Sequence, residues 1–218
     1  MPQFIRPATK ADQEALSYIC LKTSAAGNDG TPLHNYPSLP GEIYALPYVN
    51  LDSVWGFVLV DKPSEDAEEK VVGYTLGALN TPEFEASAAA EWWGPLQTKY
   101  ASLTSPPPTE QDKKYISTIN AFPPASPAQL AFSPAHLHID ILEAYQGKGW
   151  GKKLIGRAIA HLKEQGLEGV WLGMDPANKR AASFYQHLGF STFEGAPDSV
   201  VGIKVREWQE KWGSGEKN

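Results

Sequence analysis

Apolar positions along this chain recur with two periods, and the switches between them mark out the elements. Leu137, Ile139 and Ile141 alternate with His138 and Asp140, the pattern of a half-buried strand. A spacing of three to four residues follows, with Leu154, Ile155, Ala158, Ile159 and Leu162 on one helical stripe. The same reading predicts a short strand over residues 3–6. It predicts a helix over 11–22 with Ala15, Leu16, Ile19 and Cys20 on one face, started by Thr9 with Asp12 as a capping-box partner. Residues 54–60 and 71–79 read as an antiparallel hairpin around an acidic turn. Residues 83–100 fit a helix with Phe84, Ala88, Trp92 and Leu96 at four-residue spacing, and 169–174 fit a buried strand.

Between these elements lie two long irregular stretches. Residues 25–50 are rich in Gly, Pro, Asn and Tyr, with a short helical piece near Tyr44. A connection of that length is usually functional or mobile. Residues 81–134 carry the possible helix and then two Pro/Ser tracts, at 105–108 and 123–127, which are ordered by packing or not at all. The expectation is one domain over residues 1–218, with 81–134 as a partly helical, proline-rich insertion.

Composition narrows the partners. Apolar residues make up 42% of the 218, enough for a substantial core, and no run is long enough to span a membrane. A net charge of −6 argues against nucleic acid and tolerates a cationic amine. Cys20 is the only cysteine, so neither an internal disulfide nor a cysteine metal cluster is expected. The first ten residues lack an apolar signal core, so a cytoplasmic or nuclear location is expected. Oligomeric state has no signature, and the apolar tail at 205–212 suits a partner as well as its own sheet.

The chemistry centres on the turn between the strand at 137–141 and the following helix, Gln146-Gly147-Lys148-Gly149-Trp150-Gly151. A strand entering a helix through glycines makes an anion site, because the first helical N–H groups lack partners. Lys148, Lys152 and Lys153 add positive charge. A P-loop is excluded, since Gln146 and Lys153 stand where Gly and Ser or Thr are needed. The dinucleotide fingerprint is excluded by the G-x-G-x-G spacing.

Q-x-x-G-x-G instead resembles the coenzyme A pyrophosphate loop of the GCN5-related N-acetyltransferases (GNAT). A second signature follows in the right order: Asn178, Ala181, Phe184-Tyr185 and Gly189-Phe190 match N-x-x-A-x-x-F-Y-x-x-x-G-F. The stretches ALPYVNLDSVWGFVLVD, VVGYTLGALNTPEF, WWGPLQTKY and SPAHLHIDIL also resemble the acetyltransferase-like domain at the C-terminus of animal O-GlcNAcases. That domain has lost the glycine-rich loop, which is intact here.

The resemblance implies a mixed α/β GNAT fold: a mostly antiparallel twisted sheet, splayed at the cofactor site, with helices on both faces and a large insertion between strands 3 and 4. It implies acetyl-CoA as co-substrate, no metal, and a small amine or a peptide or protein amine as acceptor. Backbone N–H groups of Ile141, Leu142 and Glu143 would receive pantetheine and the thioester carbonyl. Gln146 and the amides from Gly147 through Lys148, Gly149, Trp150, Gly151 and Lys152 would form the pyrophosphate site, with Asn178 on the pantetheine arm. Tyr185 would protonate the leaving thiolate. The alternative is a non-catalytic acyl-CoA-binding or interaction module.

Each residue also has a plainer reading. Tyr185 can pack a helix on the sheet, Asn178 can cap a helix, and Gln146 can bond the loop backbone. Asp140 is a candidate general base or an acid satisfied by neighbours. His138 and His136 share its strand face and are candidate bases or structural partners. Tyr44, Tyr48, Trp92 and Trp93 are pocket walls or core.

Overall fold

The computed structural model describes residues 3–213. A six-stranded sheet runs in the order β1 (Gln3–Pro7), β2 (Val54–Asp61), β3 (Lys70–Ala78), β4 (His136–Ile141), β5 (Gly169–Gly173), β6 (Val200–Lys204). Neighbouring strands are antiparallel except β4 and β5. These two are parallel and paired at one position only, His136 opposite Trp171. Trp171 N–H donates to Ala135 O there (3.2 Å), and beyond it the strands part. The sheet is thus mixed, mostly antiparallel and splayed, as the sequence led us to expect.

Helices cover both faces. On one face lie α8 (Trp150–Glu164), α9 (Lys179–Leu188) and α10 (Val205–Trp212). All five residues of the predicted stripe on α8 are buried there. Val205 and Trp208 are buried in the same core, so the tail packs on its own sheet. The opposite face is covered by α1 (Gln13–Thr23), α2 (Leu39–Tyr44), α3 (Pro47–Asn50) and the insertion. Cross-strand register puts Ala78, Leu76 and Tyr74 opposite His136, His138 and Asp140, so these six side chains share that second face.

The insertion is helical through most of its length: α4 (Thr81–Ser87), a π-turn at Ala88–Trp92, α5 (Trp93–Ser102), α6 (Glu110–Asn120) and α7 (Pro127–Phe132). The π-turn corrects the predicted stripe. Its extra residue per turn rotates the following helix, and the buried line becomes Phe84, Ala88, Trp93 and Tyr100. Trp92 is turned aside, and its indole N–H donates to Glu42 O (2.8 Å). Trp93 is a core residue stacked on Phe122, with centroids 4.9 Å apart. The proline tract after α5 is held by the other long connection. Asn35 donates to Pro107 O (2.8 Å), and the Tyr36 hydroxyl reaches Pro106 O (2.8 Å).

The periodicity gave no sign of α6 and α7. Both begin with capping boxes that were readable: Thr109 with Asp112, and Ser126 with Gln129 before Pro127. Asp112 does more than cap. Its fully buried carboxylate accepts Thr109 N–H (3.0 Å) and Asn35 N–H (3.0 Å) and pairs with His34 Nδ1 (2.8 Å). It therefore fastens the insertion to the 25–50 connection. Burial works to raise its pKa, but these hydrogen bonds hold it below the ordinary carboxylate value.

Asp112→Ala should cost about 3 kcal/mol, because it leaves buried donors without an acceptor. Urea unfolding at neutral pH, with an unchanged m-value, is the measurement. A change under about 0.5 kcal/mol, the range of an ordinary surface substitution, would contradict this fastening.

Candidate active site

The turn into α8 has the geometry of an anion cradle. Gly147 and Gly149 lie at φ 72° and 82°, left-handed conformations that glycine adopts without strain. The first helical bond is Lys153 N–H to Gly149 O (3.3 Å), which leaves the N–H groups of Trp150, Gly151 and Lys152 unspent. The glycines and Lys152 line a cavity of about 550 Å³ whose other walls include Arg180, Phe184 and Tyr185.

Arg180 went unnoticed in the sequence, hidden at a variable position of the Asn178-to-Phe190 signature. Its guanidinium donates to Gln146 Oε1 (2.9 Å), while Gln146 Nε2 donates to Ile141 O (2.7 Å). Gln146 thus ties the strand end to a cation. The Lys152 ammonium rests 3.5 Å from the Trp212 ring centroid. Asn178 caps α9, its Oδ1 accepting Ala181 N–H (2.9 Å). Its Nδ2 faces Gly27, where a Cβ would come within 2.8 Å. The glycine at φ 87° lets the turn after α1 close over that amide.

One expected donor is not available. Leu142 N–H is bonded to Val72 O (3.0 Å). Because alternate residues of an antiparallel strand face the same partner, the N–H groups of Ile139 and Ile141 point away from β3 into the splay. Ile139, rather than Leu142, therefore presents its amide to the splay. Glu143 lies exposed in a 3₁₀ turn outside the cavity lining. Lys148 Nζ is bound to Ala144 O (2.7 Å) and the Trp150 ring packs on the core, so neither side chain lines the cavity.

A second cavity, of about 180 Å³, adjoins the first and is lined by His138, Leu172, Met174 and Asp175 among others. Asp140, Tyr185, Asn178 and Thr23 line both. Burial raises the Asp140 carboxyl to about 6, against the opposing hydrogen bond from the Tyr74 hydroxyl (2.6 Å). Burial, and then the charge of Asp140, pushes the Tyr185 phenol well above its ordinary value. Among the described residues the Tyr185 hydroxyl has no hydrogen-bond partner. His136 and His138 are both held neutral by burial, with values pushed down to about 3 and about 4.

The structure therefore gathers Asp140, His138, Tyr185, Ile141, Gln146, Gly147, Gly149, Gly151, Lys152 and Asn178 at two adjoining cavities. His136 is sealed between Tyr48 and Thr81. Thr23 and Tyr74 join the site without a local sequence signal.

This chain belongs to the acetyltransferase (GNAT) family, whose family model matches residues 65–190. The crystal structure of SsHAT is similar over 94% of this chain and 99% of that one, with a TM-score of 0.79 and 32% identity. Protein O-GlcNAcase of Rattus norvegicus is 25% identical over 201 residues, 90% of this chain. The chain spans only about a fifth of the length of the O-GlcNAcases it matches, 21%. Ribosomal protein bS18-alanine N-acetyltransferase of Haemophilus influenzae is 43% identical over 54 residues, 25% of this chain and 36% of that protein.

A carboxyl whose folded-state pKa is raised stabilises the fold below its ordinary value near 3.8, and that contribution is lost as pH rises through about 6. Asp140→Asn keeps the uncharged form at every pH. The variant should melt at or above the parent temperature at pH 7.5, with the gap closing by pH 4. A variant melting well below the parent at pH 7.5 would show that the carboxylate is stabilising.

Proposed function

We propose that this chain is an acetyl-CoA-dependent N-acetyltransferase that moves the acetyl group directly to a primary amine. The observation that carries this reading is the meeting of two cavities at Asp140 and Tyr185, one walled by unspent amides and cations, the other by carboxylates and His138. The first cavity suits coenzyme A by the chemistry of its donors. The N–H groups of Trp150, Gly151 and Lys152, with Lys152 and Arg180, would hold the pyrophosphate at the helix start. The Ile139 and Ile141 amides in the splay would hold the pantetheine end, and Asn178 Nδ2 lies along the same wall. The bound thioester supplies an activated acyl group and a sulfur leaving group.

The chain's own groups handle the protons. The nucleophilic nitrogen sheds a proton as its bond to the acyl carbon forms, and Asp140 accepts it. At neutral pH Asp140 is ionised yet basic enough to serve, with its value raised to about 6. Tyr185 keeps its proton under the same conditions and donates it as the carbon–sulfur bond breaks. Both residues line both cavities, so the proton taken at one can return to the other. The direct-transfer reading is supported by Cys20, which is buried with its thiol pushed up strongly, first by burial and then by Asp140, and so offers no usable thiolate nucleophile. A carboxylate-walled acceptor side and the net charge of −6 favour a cationic or amine substrate.

The test is thiol release from acetyl-CoA with a panel of ethanolamine, cadaverine, glycinamide and glucosamine. At least one amine should accelerate release above the amine-free rate. Tyr185→Phe should lower kcat about 10²–10⁴-fold, the usual contribution of a general acid, with little change in the donor KM. Panel-wide inactivity would overturn the transfer reading, and a Tyr185→Phe enzyme within about threefold of the parent, well short of that range, would make Tyr185 a packing residue.

A further inference from the structure

The two histidines of β4 are connected to the first turn of the insertion by hydrogen bonds whose direction is fixed from one end. Thr81 Oγ1 lies 2.7 Å from Pro134 O and 2.7 Å from His136 Nδ1. A carbonyl only accepts, so the single hydroxyl proton goes to Pro134, and His136 Nδ1 must carry the proton it shares with Thr81. Burial keeps His136 neutral, so its Nε2 is a bare lone pair. Tyr48, 2.8 Å away, therefore donates to that nitrogen. With its proton spent, the Tyr48 oxygen can only accept from His138 Nε2, at 3.0 Å. His138, neutral as well, then carries its proton on Nε2 and its lone pair on Nδ1. Nδ1 has no partner among the described residues and is not sealed from solvent. His138 lines the smaller cavity beside Asp140.

We propose that the relay Pro134–Thr81–His136–Tyr48–His138 fixes His138 Nδ1 as a hydrogen-bond acceptor for the substrate amine, and that with Asp140 it selects primary over secondary amines. This rests on the amine-transfer reading above. A neutral primary amine has two N–H groups and one lone pair. One N–H would go to His138 Nδ1 and the other to the Asp140 carboxylate, leaving the lone pair for the acyl carbon. A secondary amine has one N–H and leaves one of these acceptors unmet, a loss worth about 10- to 100-fold in kcat/KM. Thr81, His136 and Tyr48 touch no substrate and are positioning residues. Tyr48 is itself held by stacking on Phe84 of α4, with centroids 4.7 Å apart, so the insertion supplies both the start of the relay at Thr81 and the ring that holds its middle.

Two measurements test the proposal on the full chain. Long-range proton–nitrogen NMR of histidine-labelled protein at pH 7 should show His138 protonated at Nε2 alone and His136 at Nδ1 alone. A proton on His138 Nδ1, in either the neutral or the doubly protonated ring, would overturn the relay whatever the activity. For each panel amine that turns over, kcat/KM is then compared with that of its N-methyl derivative. The parent should prefer the primary amine by about 10- to 100-fold, Thr81→Ser should keep that preference, and Thr81→Val should lose most of it. An unchanged preference in Thr81→Val, or no preference in the parent, would overturn the selectivity. If Thr81→Val does not fold, the parent's ratio and its tautomers still decide. Assigned tautomers in a protein that acetylates none of the amines would overturn the transfer reading and leave the relay standing.

Discussion

The single register at which β4 and β5 pair governs the rest of the molecule. Parallel neighbours normally exchange hydrogen bonds along their length, yet here pairing stops at His136 and Trp171. Past that point the odd-numbered amides of β4 face open space, and backbone polar groups in such a position need a partner. The unspent amides at the start of α8 open on the same cavity. A strand end and a helix start thus present donors to one cavity, where a single acceptor-rich ligand can meet both. The proposed coenzyme A site follows from that gap, and the proposed proton steps from Asp140 and Tyr185 beside it.

The insertion carries a different constraint. It packs on the sheet face that bears His136, His138 and Asp140, and it is fastened there by Asp112, Phe84 and Thr81. To its apolar packing, Asp112 and Thr81 add directional bonds between buried polar groups, which cost stability if left half made and which specify one arrangement when complete. The face behind the smaller cavity is built this way, whereas the larger cavity is walled largely by backbone amides and glycines. On the proposed function, acceptor choice varies with the insertion while the coenzyme A site stays the same.

The sequence exposed the features that depend on near neighbours. The stripe on α8, the hairpin of β2 and β3 and the loop from Gln146 to Gly151 are local patterns, and each lies where it was expected. Features that depend on tertiary partners were hidden. The π-turn at Ala88–Trp92 shifts burial from Trp92 to Trp93 because the Glu42 carbonyl and the core compete for the two indoles. Leu142 gives its amide to Val72, seventy residues earlier in the chain, so only the register reveals that Ile139 faces the splay. The proton order of the histidines depends on Thr81 and Tyr48, 55 and 88 residues from His136. For α6 and α7 the failure was different. Their capping boxes stood in plain view at Thr109 and Ser126, but proline-rich flanks masked them.

Calorimetric titration of the chain with acetyl-CoA tests the central claim most directly, that the gap between β4 and β5 together with the α8 start forms a coenzyme A site. The account predicts saturable binding at one site per chain, weakening as salt is raised because Lys152 and Arg180 meet the pyrophosphate partly in solvent. Absence of binding heat, with no rise in melting temperature at millimolar acetyl-CoA, would contradict it.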